Sequence, residues 1–110
     1  MDIAPSILTA DFCNLGRVLD DSIDAGVSWI HLDIMDGNWV VNKTITFGPA
    51  VIRSIRDYVG NDVFLDCHLM ITNTEQTWQQ YADAGVNMVI AHVESVEDFS
   101  SLAKELHDYG

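Results

Sequence analysis

The sequence predicts an α/β fold in which parallel strands alternate with helices, and three observations predict it. Short apolar runs recur between longer stretches with helical periodicity. Helix-start and helix-stop residues fall at the joints between them. The apolar runs are nearly continuous, as in strands covered on both faces. Four strand–helix units in series imply right-handed crossovers into a parallel sheet. A flavodoxin-like open sheet and a half barrel both satisfy this pattern, and periodicity alone leaves the two open.

Taken in order, residues 3–8 read as a first strand. Residues 14–25 read as a first helix, with Leu15, Val18, Leu19, Ser22 and Ile23 along one stripe and Gly26 at its end. Residues 29–35 form a second strand, followed by a long loop. Pro49 then opens a helix to about residue 58, since proline suits a first turn that does not need its N–H. Residues 63–71 form a third strand. Thr72 and Glu75 have capping-box spacing and start a third helix that ends near Gly85. Residues 88–93 form a fourth strand, residues 97–109 a last helix, and Gly110 sits past its end. Asp24-Ala25-Gly26-Val27 recurs as Asp83-Ala84-Gly85-Val86. Internal duplication and independent helix-stop chemistry both account for the echo.

The chain has 110 residues, 48% apolar, enough for one domain with a core. No apolar run approaches the roughly 18 residues that span a membrane, and the N-terminus lacks the features of a signal peptide. A cytoplasmic protein without membrane association is expected. Cys13 and Cys67 form neither a framework nor a metal-type pair and are expected as reduced thiols, with Cys67 buried. The net charge of −12 argues against nucleic acid, which needs a basic face. It also makes an anionic substrate awkward unless a metal or backbone amides supply positive potential.

The informative feature is where polar groups interrupt the strands. Alternation puts His31, Asp33 and Met35 on one face of the second strand, with Ile30, Leu32 and Ile34 on the other. In the third strand Asp66, His68 and Met70 share a face, and in the fourth His92 and Glu94 do. Ser6 lies among apolar neighbours in the first. His and carboxylate groups thus gather near the C-terminal ends of consecutive strands, where parallel α/β folds place their sites. A buried unpaired carboxylate costs several kcal/mol, and a shared divalent cation would offset that for several groups at once. Spacing leaves a metal or catalytic role and a satisfied core role equally open for His31 and His68. His92 alone reads as a core histidine, and Asp36 before Gly37 as a turn residue. Glu94 suits either orienting His92 or capping the next loop. Met35 and Met70 read as core filler.

Several of these runs carry a resemblance. Ile3-Ala4-Pro5-Ser6-Ile7-Leu8-Thr9-Ala10-Asp11-Phe12, with Asn14-Leu15-Gly16 after it, resembles the opening of the ribulose-phosphate 3-epimerase family. His31-Leu32-Asp33-Ile34-Met35-Asp36-Gly37 is similar to that family's second-strand signature, Asp66-Cys67-His68-Leu69-Met70 to its third, and Ala91-His92-Val93-Glu94 to its fourth. The similarity runs through essentially the whole chain in the right order. It implies a (β/α)8 TIM-barrel type of fold, here the first four β/α units, a half barrel forming one domain over residues 1–110. It implies one divalent metal ion (zinc, iron(II), manganese or cobalt) held by His31, Asp33 and His68. Asp33 would also be one of two catalytic acid/base groups. Ser6 and His68 would contact substrate, and Met35 and Met70 would form part of an apolar wall near the reacting carbons. The implied activity is an isomerase of the pentose phosphate pathway that interconverts D-ribulose 5-phosphate and D-xylulose 5-phosphate. The chemistry suits these residues. Removing a proton next to a ketone gives an ene-diolate whose charge a Lewis acid stabilises. Inversion needs an acid and a base on opposite faces, and dry walls limit protonation by solvent.

The resemblance has gaps. In the family a second catalytic Asp, also the fourth metal ligand, comes from the seventh strand, and backbone amides after the sixth to eighth strands hold the phosphate. These 110 residues contain neither, and the isolated polypeptide is expected to lack normal catalysis. Where family members usually have His-Phe-Val-Pro-Asn after the Asp-Gly pair, this chain has Asn38-Trp39-Val40-Val41-Asn42. A ketohexose 6-phosphate 3-epimerase is therefore an alternative, and a non-catalytic half-barrel fragment or assembly subunit is another. A lone half barrel exposes its inner face and two strand edges, so a homo-oligomer or a C-terminal half is expected as its partner.

Overall fold

The computed structural model describes residues 2–110. A single turn of 3₁₀ helix, Phe12–Asn14, leads into helix α1, Leu15–Asp24. Strand β1, Trp29–Met35, is followed by helix α2, Pro49–Val59, strand β2, Phe64–Met70, and helix α3, Thr74–Asp83. Strand β3, Met88–Ile90, a 3₁₀ turn, Val93–Ser95, and helix α4, Phe99–Tyr109, complete the order. The strands form one parallel sheet in the order β1-β2-β3. Among the described residues no helix is long and apolar enough to cross a membrane.

Three differences from the sequence reading have physical causes. Residues 3–8 are not a strand. They make a single parallel bridge, Ser6 to His31, with His31 N–H donating to Pro5 O at 2.9 Å and Ile7 N–H to His31 O at 3.3 Å. Pro5 has no N–H to extend that ladder. Among the described residues the sheet therefore has three strands and not four, and is open, with the Ser6 segment at its edge. The fourth strand stops at Ile90, because the chain turns into 3₁₀ helix at Val93. The expected capping box at Thr72 is also absent. Asn73 precedes α3 without a side-chain cap, the Thr72 N–H and hydroxyl bond to Asp36, and Glu75 accepts from the Asp98 N–H.

The core lies between the sheet and the helices. Ile30, Leu32 and Ile34 of β1 and Leu65, Cys67 and Leu69 of β2 pack with Leu19, Ile52, Ile55, Trp78, Tyr81 and Leu102. Full burial of such side chains stabilises by about 1.5–3 kcal/mol each before chain entropy is counted. The two Asp-Ala-Gly-Val copies both stop helices, with Gly26 at φ +94° and Gly85 at φ +108°. In each, the glycine N–H donates back into the last turn, to Ile23 O and Ala82 O. Because β1 and β2 run in register and bury one face under helices, their other face gathers the polar side chains.

Candidate metal centre

Parallel register fixes what meets on that face. His31 lies opposite Asp66, Asp33 opposite His68, and Met35 opposite Met70. A slip of one residue would send the whole set into the helix-covered core, where the apolar residues now sit.

Asp33 is the hub. Its Oδ1 lies 3.1 Å from His31 Nε2 and 3.1 Å from His68 Nδ1. Its Oδ2 accepts from the Ser6 hydroxyl at 2.5 Å, and the Ser6 oxygen in turn accepts from the Leu8 N–H at 3.1 Å. Thus the bridge that replaces the expected first strand still delivers Ser6 to the site. Burial opposes ionisation of Asp33. The Ser6 hydroxyl, the charge of His31 and hydrogen bonds from His68 and His31 outweigh it, and the carboxyl is held below its ordinary range. At neutral pH it is a carboxylate.

The far sides of both imidazoles are also occupied. His31 Nδ1 is in close ionic contact with Asp66 Oδ1, while Asp66 Oδ2 accepts from the Trp29 indole N–H at 2.5 Å. His68 Nε2 lies 2.6 Å from His92 Nε2, so one ring donates and the other accepts. Trp39 packs on the His92 ring with centroids 4.7 Å apart. From sequence alone Asp66 shares this face without a role, and His92 alone reads as core. The structure puts both against the candidate ligands. Neither Asp66–His31 nor Trp39–His92 leaves a local spacing signal, since each joins segments far apart in the chain. Glu94 is exposed in the 3₁₀ turn and makes no hydrogen bond with His92 among the described residues.

Asp36 behaves as the expected turn residue and also as a tie. Its Oδ1 accepts from the N–H groups of Asn38 and Trp39 at 2.8 and 2.9 Å. Its Oδ2 accepts from the N–H and hydroxyl of Thr72 at 2.9 and 3.0 Å. The loop after β1 returns along that strand, with the Thr46 hydroxyl donating to Asp33 O and accepting from the Met35 N–H.

The donor set fits a divalent cation. One ligand atom from each of His31, Asp33 and His68 lies within 4.8 Å of the others. Bonds of about 2.1 Å place neighbouring ligand atoms about 3.0 Å apart in octahedral and about 3.4 Å apart in tetrahedral geometry. The two 3.1 Å separations around Asp33 fall between those values. Two imidazoles and a carboxylate suit zinc, iron(II), manganese or cobalt and do not select among them.

Comparison with known proteins gives a consistent answer. Residues 2–110 match the Ribulose-phosphate 3 epimerase family. A ribulose-phosphate 3-epimerase of Schizosaccharomyces pombe is 38% identical over 109 residues, covering 98% of this chain and 47% of that protein. The cytoplasmic isoform from Oryza sativa subsp. japonica is 43% identical, covering 87% of this chain and 40% of its own length. A Synechocystis ribulose-phosphate 3-epimerase is 44% identical, covering 84% and 38%. The chain therefore spans less than half the length of these curated relatives.

Proposed function

The chain belongs to the ribulose-phosphate 3-epimerase family, and from that premise we propose that it supplies one catalytic face of a (β/α)8 barrel interconverting D-ribulose 5-phosphate and D-xylulose 5-phosphate. The observation that carries the reading is the convergence of His31 Nε2, Asp33 Oδ1 and His68 Nδ1 at the C-terminal half of the strands. His31, Asp33 and His68 hold one divalent cation, which when bound supplies Lewis-acid stabilisation of the charge developing on substrate oxygens. Asp33, kept ionised by its hydrogen bonds, takes the proton from the carbon beside the ketone. Ser6 holds Asp33 Oδ2 and thereby orients that base, while Ser6 and His68 contact the substrate. Met35 and Met70, adjacent in register beyond Asp33 and His68, line the reacting carbons and keep water away.

Inversion needs a second acid on the opposite side of the substrate. All the site groups here rise from one face of one sheet, so the proposed partner of the 110-residue polypeptide brings that acid and the phosphate site. A C-terminal half of the barrel does this directly. A second copy would close the sheet but offer its groups in the wrong places. β3 pairs only with β2 among the described residues, which leaves its outer edge free for such a partner. A cytoplasmic setting belongs to the same proposal, supported by the unpaired Cys13 and Cys67.

The test is a coupled assay for xylulose 5-phosphate with added zinc or iron(II). The chain alone is expected to be inactive. Mixed with or fused to the C-terminal half of the S. pombe relative, it is expected to turn over, with activity abolished by Asp33→Asn. Faster turnover of a ketohexose 6-phosphate would favour the alternative substrate, to which the Asn38–Asn42 loop is relevant. Robust activity of the chain alone would overturn the proposed division of the site.

A further inference from the structure

We propose that Asp66 is a positioning residue that fixes the ring orientation of His31 and keeps a proton on its Nδ1, so that Nε2 is presented as a ligand. The inference rests on the metal-centre reading above. It begins from a buried carboxylate that the proposed reaction does not use. Asp66 is 4% exposed, and such a group is retained only where its oxygens are matched by donors. One match is the Trp29 indole N–H on Oδ2, a donor that cannot reverse its role. Oδ1 makes no hydrogen bond and is met instead by the close ionic contact with His31 Nδ1. A carboxylate only accepts, so the nitrogen facing Asp66 carries hydrogen, and Nε2, which faces the Asp33 carboxylate, yields its own hydrogen when it takes a cation.

The backbone makes this contact reproducible. His31 and Asp66 are register partners on adjacent parallel strands, and Trp29 lies two residues before His31 on the same face, packed on Phe64 with ring centroids 4.5 Å apart. Trp29 and His31 thus converge on the Asp66 carboxylate, which fixes the side of the ring opposite the ligand atom. His68 has the His92 ring, and no carboxylate, on its far nitrogen. A carboxylate raises ligand basicity more than a neutral acceptor does, so the two histidines are not equivalent ligands.

The chemistry predicts an informative variant. In Asp66→Asn the Trp29 N–H claims the amide oxygen, which turns the –NH₂ toward His31 Nδ1. Nδ1 must then accept, and the hydrogen moves to Nε2, the ligand atom. Zinc affinity, measured by competition with a chromogenic chelator, is expected to fall about 10–100-fold. Trp29→Phe removes the competing donor, so the double variant Trp29→Phe/Asp66→Asn can turn its amide oxygen to Nδ1. It is expected to recover much of that loss, a rescue that lost packing would not produce. ¹⁵N NMR of the imidazoles at one pH should find hydrogen on His31 Nδ1 in the wild-type chain and not in Asp66→Asn.

The outcomes separate this inference from the metal centre itself. Equal zinc binding by wild type and His68→Ala removes the metal-centre reading, while the NMR proton assignment still decides the role of Asp66. Weak binding by His68→Ala with wild-type affinity in Asp66→Asn overturns the Asp66 inference and leaves the centre standing. A wild-type His31 without hydrogen on Nδ1 overturns it whatever the variants do.

Discussion

Replacing Asp36 with Asn should uncouple the loop after β1 from the loop after β2, at a cost that can be worked from the contacts. Partial burial opposes ionisation of Asp36, but the N–H groups of Trp39, Thr72 and Asn38 and the Thr72 hydroxyl more than offset it. Together they lower its pKa from 3.8 to about 2. At about 1.4 kcal/mol per pH unit that gap sets a ceiling of roughly 2.5 kcal/mol. The bonded groups are partly open to solvent, and screening reduces the expected contribution to about 1 kcal/mol. Because the folded pKa is depressed, the contribution is complete above the unfolded value and is lost as pH falls through the folded one. Urea unfolding of wild type and Asp36→Asn should therefore differ by about 1 kcal/mol at pH 7. The gap should shrink below about pH 4 and close near pH 2. In the same variant the His92 ring protons should lose the ring-current shift from Trp39, whose N–H Asp36 holds. A stability difference that persists undiminished to pH 2, or is absent at pH 7, would refute the reasoning.

Two further predictions concern the scaffold. Gly85→Ala should destabilise by about 2–3 kcal/mol, combining a left-handed backbone with an added Cβ that would lie 2.8 Å from Arg56 Cγ. Arg56 there bonds the carbonyls of Gly85, Gly60 and Val63, so the displacement spreads. Gly26→Ala, at similar φ with nothing near the new Cβ, should cost about 1 kcal/mol in the same urea series. Native thiol titration should label Cys13 quickly and Cys67 only on unfolding, since burial and the charges of Asp66 and Asp33 push the Cys67 thiol up. Two fast thiols would contradict the buried position of Cys67.

What the sequence made legible was what short periods encode. The alternation in residues 29–35 and 64–70 separates the core face from the site face. Paired in parallel, it brings His31, Asp33 and His68 together as expected. The stops at Gly26 and Gly85 were equally plain, because φ above zero selects glycine. Residues 3–8 have strand-like apolar content yet pair only at Ser6, because Pro5 cannot donate and only Ile7 of the segment is buried. Thr72 has capping-box spacing but bonds Asp36 instead, because spacing does not reveal a stronger acceptor elsewhere in the chain. Asp66 beside His31 and Trp39 over His92 are tertiary contacts between distant segments, and only register and loop path produce them.

The most direct measurement is cobalt(II) titration of the 110-residue chain followed by visible absorption, with variants at each candidate ligand. A chain of net charge −12 attracts cations diffusely, so the coordination spectrum and not uptake alone is the readout. One equivalent should give a saturating ligand-field spectrum that is lost or altered in His31→Ala, Asp33→Asn and His68→Ala. Replacing the remote His107 in α4 with alanine should leave it unchanged. A wild-type spectrum of hydrated cobalt, or one indifferent to all three substitutions, would contradict a metal centre at His31, Asp33 and His68.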